Sequence, residues 1–159
     1  MKKPTILTLS ALSLLTPLAL AQNQAAPQLP ASWTNANLST ATYVVLDGQI
    51  EGNANVISGE QQKGVLEALK RDSAGAIKRH YPGATIVTDP NTPNAIKVTP
   101  VLSAPSALVP WAKMDAKLKL QLADGNQVAL VNTFSVFELY QHRAEATNYA
   151  YDQVALKLP

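Results

Sequence analysis

The sequence contains no cysteine at any of its 159 positions. Disulfide bridges, thiolate metal sites and cysteine nucleophiles are therefore excluded, since each of them requires a thiol. A domain without disulfides is stabilised by its packed core. About 120 to 138 residues follow the N-terminal targeting segment described below, and this number is enough for one core of ordinary size. One domain is the expected number.

A membrane-spanning run of apolar residues is also missing. The apolar stretch from Ile6 to Leu20 is interrupted by Thr and Ser, and it falls short of the roughly 20 apolar residues that a transmembrane helix needs. It follows the basic pair Lys2-Lys3 and ends in Ala19-Leu20-Ala21, a small-residue cleavage pattern. These features predict a cleaved signal peptide over residues 1–21 and a mature chain with no integral membrane segment. Since no Cys follows the apolar run, we expect a non-lipidated protein, periplasmic or secreted.

The chain has no excess of positive or negative charge once the predicted signal peptide is removed. The full chain has 13 Lys and Arg residues against 11 Asp and Glu residues. Two of the 13 are Lys2 and Lys3, so the remaining 11 basic residues balance the 11 acidic ones. The basic positions between Lys70 and Arg79 are interleaved with acidic ones and indicate a solvated helix face. The sequence therefore predicts no nucleic-acid partner.

The first part of the mature chain has no secondary-structure period. Residues 22–38 are rich in Gln, Ala, Pro and Asn, and we predict a flexible N-terminal segment there, followed by a single α+β domain over residues 39–159. Trp33 is the exception in this segment. It is either an anchor on the domain's own surface or a contact for a partner.

The first half of the domain predicts a strand, a long helix and two further strands. The run from Thr42 to Leu46 is typical of a strand, whereas residues 49–57 fit either a short strand or a loop. Ser58 with Gln61 has the form of a capping box, and the helix that it opens is expected to end at Pro82-Gly83. Strands are predicted at residues 84–87 and 95–102. Pro100 lies in the second of these, so we expect an edge or a bulge there.

The second half of the domain predicts a β-hairpin and a closing helix. Leucines at 118, 120 and 122 alternate with polar residues within the stretch from Lys117 to Phe137. A three-residue loop over residues 124–126 would pair Leu122 with Val128 and Leu120 with Leu130. Phe134 and Val136 are expected to continue the core face. A second helix is predicted over residues 144–156.

The predicted order is β-α-β-β-β-β-α. It favours an α+β two-layer sandwich, with one mainly antiparallel sheet of about five strands and two helices on one face. The other face, with Lys117, Lys119 and Gln121, is expected to be exposed to water.

Four stretches give this chain a resemblance to a group of known domains. They are YVVL at residues 43–46, the helix GVLEALKRDSAGAIKR, the hairpin AKLKLQLADGNQVAL and the closing helix YAYDQVALKL. Together they resemble small α/β sandwich domains of bacterial periplasmic and outer-membrane-associated proteins, many of them lipoproteins of unknown function. The resemblance covers residues 42–158 at the level of pattern. The resemblance implies an accessory or assembly role without catalysis, and it supplies no site residues. The sequence differs from the lipoproteins of this group because it lacks a lipobox Cys.

Residues that carry chemistry are few. The two histidines, His80 and His142, are far apart in sequence, while a metal site needs three or four convergent ligands. Ser58 is explained by its capping role, and the sequence has no GxSxG elbow and no phosphate-binding loop. We therefore predict no catalytic residues, no cofactor, no metal and no enzymatic activity.

The loop between the third strand and the hairpin carries the best functional candidates. Leu108, Val109 and Trp111 are large apolar residues framed by prolines. They either contact a partner or fold back over the open face of the sheet. The leading hypothesis is a non-enzymatic cell-envelope accessory protein that binds a protein or another envelope component through this loop and the sheet edge. Small-ligand binding between sheet and helices is the alternative, and a hydrolase is a minor alternative.

Overall fold

The computed structural model describes residues 28–159, so the predicted signal peptide lies outside the described residues. The strands are β1 (Thr42–Val45), β2 (Gln49–Gly52), β3 (Thr85–Val87), β4 (Ile96–Ala104), β5 (Lys113–Gln121) and β6 (Gln127–Ser135). The α-helices are α1 (Asn35–Leu38), α2 (Gly59–His80), α3 (Val136–Gln141) and α4 (Ala146–Ala155). Two 3-10 turns, Ala54–Val56 and Arg143–Glu145, precede α2 and α4.

Helix α2 begins and ends where the sequence predicts. The Ser58 side chain accepts a hydrogen bond from the Gln61 backbone N–H, and the Gln61 side-chain oxygen accepts one from the Ser58 backbone N–H, so the capping box is complete. The C-terminal turn holds Lys78, Arg79 and His80, which complement the helix dipole.

Within residues 28–159, no helix is both long enough and apolar enough to cross a bilayer.

The six strands form one mixed sheet with the order β3-β1-β4-β5-β6, in which β2 also pairs with β4. The β4–β5 and β5–β6 pairs are antiparallel, whereas β1 and β2 lie parallel to β4 and β3 lies parallel to β1. The parallel part arises because α2 carries the chain back to the end of the sheet from which β1 started. The α+β fold class is confirmed, but the sheet has a sixth strand, β2, and its first half is not antiparallel.

The core lies between the sheet and one layer of helices. Leu69 and Ile77 of α2 join Tyr151 and Val154 of α4 in the same buried cluster as Leu118 of β5. The opposite face of β5 carries Lys117, Lys119 and Gln121, none of them buried. The prediction of helices on one face and a second face that is at least partly exposed to water is therefore confirmed.

Pro100 lies in a central strand, where a proline normally costs a ladder hydrogen bond. Here β1 pairs only as far as Val98 of β4, and β2 begins pairing at Val101. Pro100 therefore faces the break between β1 and β2, where no ladder donor is required. Although β4 is a central strand, at Pro100 it has no paired neighbour on the side of β1 and β2, so the predicted edge is present locally. The missing N–H of proline explains why it coincides with this break.

The hairpin loop has three residues, as predicted, but it lies one position earlier, at residues 123–125. The Leu122 N–H donates to the Asn126 carbonyl at 2.8 Å, and the Gly125 N–H donates to the Leu122 carbonyl at 2.9 Å. Gly125 has a φ of 85°. A glycine accepts this left-handed conformation at the last loop position more readily than Asn126 would.

The register of the hairpin therefore differs from the predicted one. Leu120 pairs with Val128 and Leu118 pairs with Leu130, so the predicted pairs Leu122–Val128 and Leu120–Leu130 are wrong. The difference is two residues in pairing, and a shift by two returns every side chain to the same face. Phe134 lies on that face as predicted, whereas Val136 is the first residue of α3 and not part of the strand.

Residues 28–38 of the predicted flexible segment pack on the domain. Leu38, in the short helix α1, is 1% exposed, and its carbonyl accepts the Tyr43 hydroxyl at 2.8 Å. Trp33 packs against the core cluster, which favours the self-docking interpretation. The Ser32 hydroxyl donates to the Asp124 carboxylate in the hairpin loop and holds the pKa of Asp124 below its ordinary value. The packed domain thus begins before residue 39.

Replacement of Leu38 tests this extension of the core. We expect Leu38→Ala to lower the free energy of unfolding by about 2–5 kcal/mol, as for other buried leucines, because it leaves a cavity. Leu29→Ala is the matched control, since Leu29 is 64% exposed and should change stability little. Urea unfolding followed by circular dichroism measures both. Equal small effects would contradict the packed position of α1.

A pair of glycine variants tests the loop. Gly125→Ala should destabilise the protein by about 1–2 kcal/mol, because the alanine side chain disfavours a positive φ. Gly64→Ala in α2 should stabilise it by about 0.5–1 kcal/mol, since a Cβ at Gly64 meets nothing within 4 Å and alanine favours a helix. The same unfolding measurement applies. A neutral Gly125→Ala variant would contradict the loop placement.

Candidate functional site

An open apolar groove of about 570 Å³ lies between the helical layer and the sheet. The first half of α2 forms one wall, and α3 with the start of α4 forms the other. Leu102 of β4 and Met114 and Ala116 of β5 also line it. The remaining lining residues are Val56, Ile57, Gln61, Gly64, Val65, Ala68, Leu69, Leu108, Val136, Leu139, Tyr140, Arg143, Ala146, Thr147, Ala150 and Tyr151.

The groove exists because the two long helices make close polar contacts at one end only. Near the C-terminus of α2, the Arg79 guanidinium donates to Asp152 at 2.7 Å and also to the Asn148 side chain. In the first half of α2, Gly64 and Ala68 line the groove and contribute little volume. Ala146 and Ala150 of α4 are equally small. Small side chains on both walls therefore leave part of the apolar face of the sheet, in β4 and β5, uncovered.

Exposed apolar side chains occur in the loop before β5 and in α3, two segments that contribute residues to the groove. Four of them form what we call the aromatic rim: Leu108, Trp111, Phe137 and Tyr140. They are 50%, 75%, 54% and 75% exposed, respectively. Leu108 and Tyr140 line the groove directly. The rim is held together because the Phe137 N–H donates to the Pro110 carbonyl at 3.0 Å, and the Val136 N–H donates to the Ala112 carbonyl at 2.9 Å.

The three residues predicted for partner binding take different positions. Leu108 lines the groove on the helical side of the sheet, Val109 is half-buried, and Trp111 is exposed. The groove that Leu108 lines is on the helical side, so this residue does not fold back over the open face of the sheet. Trp111, at 75% exposed, does not cap that face either.

Sequence reasoning missed the contribution of α3 to the rim, because it extended the preceding strand to Phe137. A signal for the helix was present. Ser135 followed by Glu138 has the spacing of a capping box, and the Ser135 hydroxyl accepts the Glu138 N–H at 3.1 Å. Phe137 and Tyr140, three residues apart in this helix, then lie on the same face.

Arg143 is the single charged residue among those that line the groove. It follows α3 and has a φ of 48°, a conformation that is uncommon for residues other than glycine. Arg71 and Arg79 of α2 each form an ion pair with an Asp. Among residues 28–159, Arg143 forms none. The groove thus combines apolar walls with one cation.

The exposed face of the sheet carries an ion-pair cluster. Glu51 of β2 lies 2.8 Å from the Lys117 ammonium and 2.7 Å from the Lys119 ammonium, across the intervening strand β4. The hydrogen bonds from Lys117 and then Lys119 lower the pKa of Glu51 to about 2. These side chains are partly exposed and pair with one another, so they stabilise the pairing of β2 with the sheet. Two ammonium groups share one carboxylate, so the cluster keeps a net charge of +1.

The two histidines lie at separate aromatic contacts. The His142 ring stacks on Tyr149 with centroids 3.6 Å apart, and His80 meets the edge of Tyr81. Neither lines the apolar groove. Within the described residues, no group of three His, Cys, Asp or Glu side chains is placed to hold a metal ion. Ser58 caps α2, as expected from the sequence.

Acid titration tests the Glu51 cluster. Because folding lowers the pKa of Glu51 from 4.5 to about 2, its contribution to stability is complete above about pH 4.5 and disappears as the pH falls through about 2. Glu51→Gln should therefore reduce the free energy of unfolding at pH 7 by less than about 1 kcal/mol, as is usual for solvent-exposed pairs, and change it little near pH 2. Urea unfolding at both pH values measures this. A larger loss at the acidic pH would contradict the assignment.

Comparisons with known proteins do not identify a family. No protein-family model matches the chain, and no curated protein matches it. A solved structure described as the crystal structure of an uncharacterized protein is similar, with 9% identity over 75% of this chain and 87% of that chain and a TM-score of 0.41. This score is too low for the similarity to support an inference about fold or function.

Proposed function

We propose that the protein is an exported, non-enzymatic accessory protein of the cell envelope, which takes an apolar part of another envelope component into the groove between α2, α3 and the sheet. The observation that carries the proposal is the open apolar groove with the aromatic rim beside it. The leader-like N-terminal pattern, Lys2-Lys3 followed by an apolar run and Ala19-Leu20-Ala21, supports the exported location.

The size and lining of the groove fit a binding role. A volume of about 570 Å³ is within the range of roughly 300–1,000 Å³ that small-molecule sites occupy. Soluble domains rarely leave several large apolar side chains exposed side by side, and such patches commonly mark interaction sites. Trp and Tyr are the residue types that contribute most to binding energy at interfaces. Trp111 and Tyr140 on the rim fit this role.

The chemistry of the lining supports binding more than catalysis. General acid–base or nucleophilic catalysis needs a titratable group beside the reacting atoms. The groove offers Arg143, whose guanidinium stays protonated, and the hydroxyls of Tyr140, Tyr151 and Thr147. The Tyr151 hydroxyl donates to the Val101 carbonyl at 3.1 Å, and burial raises its pKa. A poised base is therefore not part of the lining.

A free small ligand is the second candidate occupant. The lining side chains enclose the groove from three elements and the sheet, which favours an object of limited size. A macromolecular partner would instead use the whole aromatic rim, including Trp111 and Phe137, which lie outside the groove lining. The extent of the contact surface therefore distinguishes a macromolecular partner from a small ligand.

Site-specific photo-crosslinking in the producing cells tests the proposal. With a photoreactive phenylalanine at position 140, on the rim, we expect an adduct with an envelope component after irradiation. The same residue at position 156 is the control, because Leu156 is also exposed, at 66%, but does not line the groove. Electrophoresis and mass spectrometry of the purified protein measure the adducts.

A parallel experiment at position 111 reports on the size of the occupant. Adducts at both 140 and 111 indicate a partner that covers the rim, whereas an adduct at 140 alone indicates a ligand confined to the groove. Absence of adducts at 140, or equal amounts at 140 and 156, would overturn the proposed use of this surface.

A further inference from the structure

The charge pattern of the groove restricts what enters it. Apart from Arg143, the lining consists of apolar residues, glycine and a few uncharged polar ones, and no carboxylate is among them. A neutral apolar ligand would leave the guanidinium without a complement beside it. A ligand that carries one anionic group at the end of an apolar body would satisfy both parts of the surface.

The position of Arg143 suits contact with the head of such a ligand. Arg143 is exposed, lies between α3 and α4, and follows the wall residues Leu139 and Tyr140 by one turn. A cation at the edge of an apolar groove keeps its own hydration when the groove is empty, so it costs little stability. It also leaves the interior free for an apolar chain.

We propose that the groove binds a free medium-chain fatty acid, with the acyl chain between α2 and α3 and the carboxylate on the Arg143 guanidinium. This inference rests on the proposed use of the groove for binding, and it specifies the second candidate occupant, a free small ligand. A carboxylate is planar and accepts two parallel N–H donors from one guanidinium. A single arginine can therefore bind it without a second charged residue. The acyl chain needs only apolar walls such as Val65, Leu102 and Met114.

The test compares laurate with dodecanol, which has the same chain length and no charge. Isothermal titration calorimetry on the mature protein, stripped of bound lipid, measures both affinities below the concentrations at which either compound aggregates. Wild type should bind laurate at least about tenfold more tightly than dodecanol, because a charge-assisted contact is present only for the acid.

Four variants localise the binding. Arg143→Gln should lose the preference for laurate while still binding dodecanol. Lys63→Gln, which removes an exposed cation of α2 that does not line the groove, should keep the preference. Ala68→Phe should weaken both ligands, since a large ring fills the space between the walls. Arg143→Lys, which keeps the charge, should retain part of the preference for laurate. Circular dichroism and urea unfolding confirm that each variant is folded.

The outcomes separate this inference from the proposed function. Equal affinity for laurate and dodecanol, or tighter binding of a lauroyl lysophospholipid, would overturn the fatty-acid assignment and leave the apolar groove as the binding site. Unchanged laurate binding in Ala68→Phe would place the ligand elsewhere and overturn the assignment too. If neither compound binds while position 140 still crosslinks to a protein, only the fatty-acid assignment fails. If neither binds and position 140 yields no adduct, both fail.

Discussion

Burial of one face of the β4–β5–β6 sheet beneath α2 and α4 is the constraint on which the rest of the structure depends. Leu118 and Leu120 are essentially inaccessible to solvent, and full burial of one such side chain contributes about 1.5–3 kcal/mol. No disulfide is available to supplement this term, since the chain lacks cysteine. The helices must therefore cover as much of the apolar face as their own side chains allow.

The cover is incomplete where the helices carry small residues. Close to Arg79 and Asp152 the two helices are tied by an ion pair, and the core beneath them is closed. Toward Gly64 and Ala146 the helices leave a groove, and Leu102 of β4 and Met114 of β5, both inner strands of the sheet, border this groove instead of a helix. An apolar opening in a core without disulfides reduces the buried apolar area, so the groove lowers the stability that burial of the sheet can supply.

The local features of this chain can be predicted from the sequence because they depend on residues close together in the chain. The capping box at Ser58, the end of α2 before Pro82-Gly83 and the alternating strand β5 follow from spacing and residue type alone. The hairpin register was missed by two residues because either three-residue loop keeps the leucines on the same face. Only the positive φ of Gly125 distinguishes the two, and that is a property of the folded turn.

The packing of residues 28–38 was not readable, because the segment has no period and is ordered by distant contacts. Leu38 is buried beside Tyr43, and Ser32 reaches the hairpin loop at Asp124. The candidate site was partly predictable, since the loop with Leu108 and Trp111 stands out by composition, but the strand pattern extends the prediction of a strand through Phe137, which lies in α3.

By itself, the sequence determined the α+β class, the helix caps and the two faces of the hairpin, because these are set by periodicity over a few residues. The tertiary structure alone decided the parallel pairing of β1, β2 and β3, the position of Pro100 at a break in the ladder, and the groove. Each of these depends on which distant surfaces meet, and a gap between walls is a property of the packed elements together, not of any one segment.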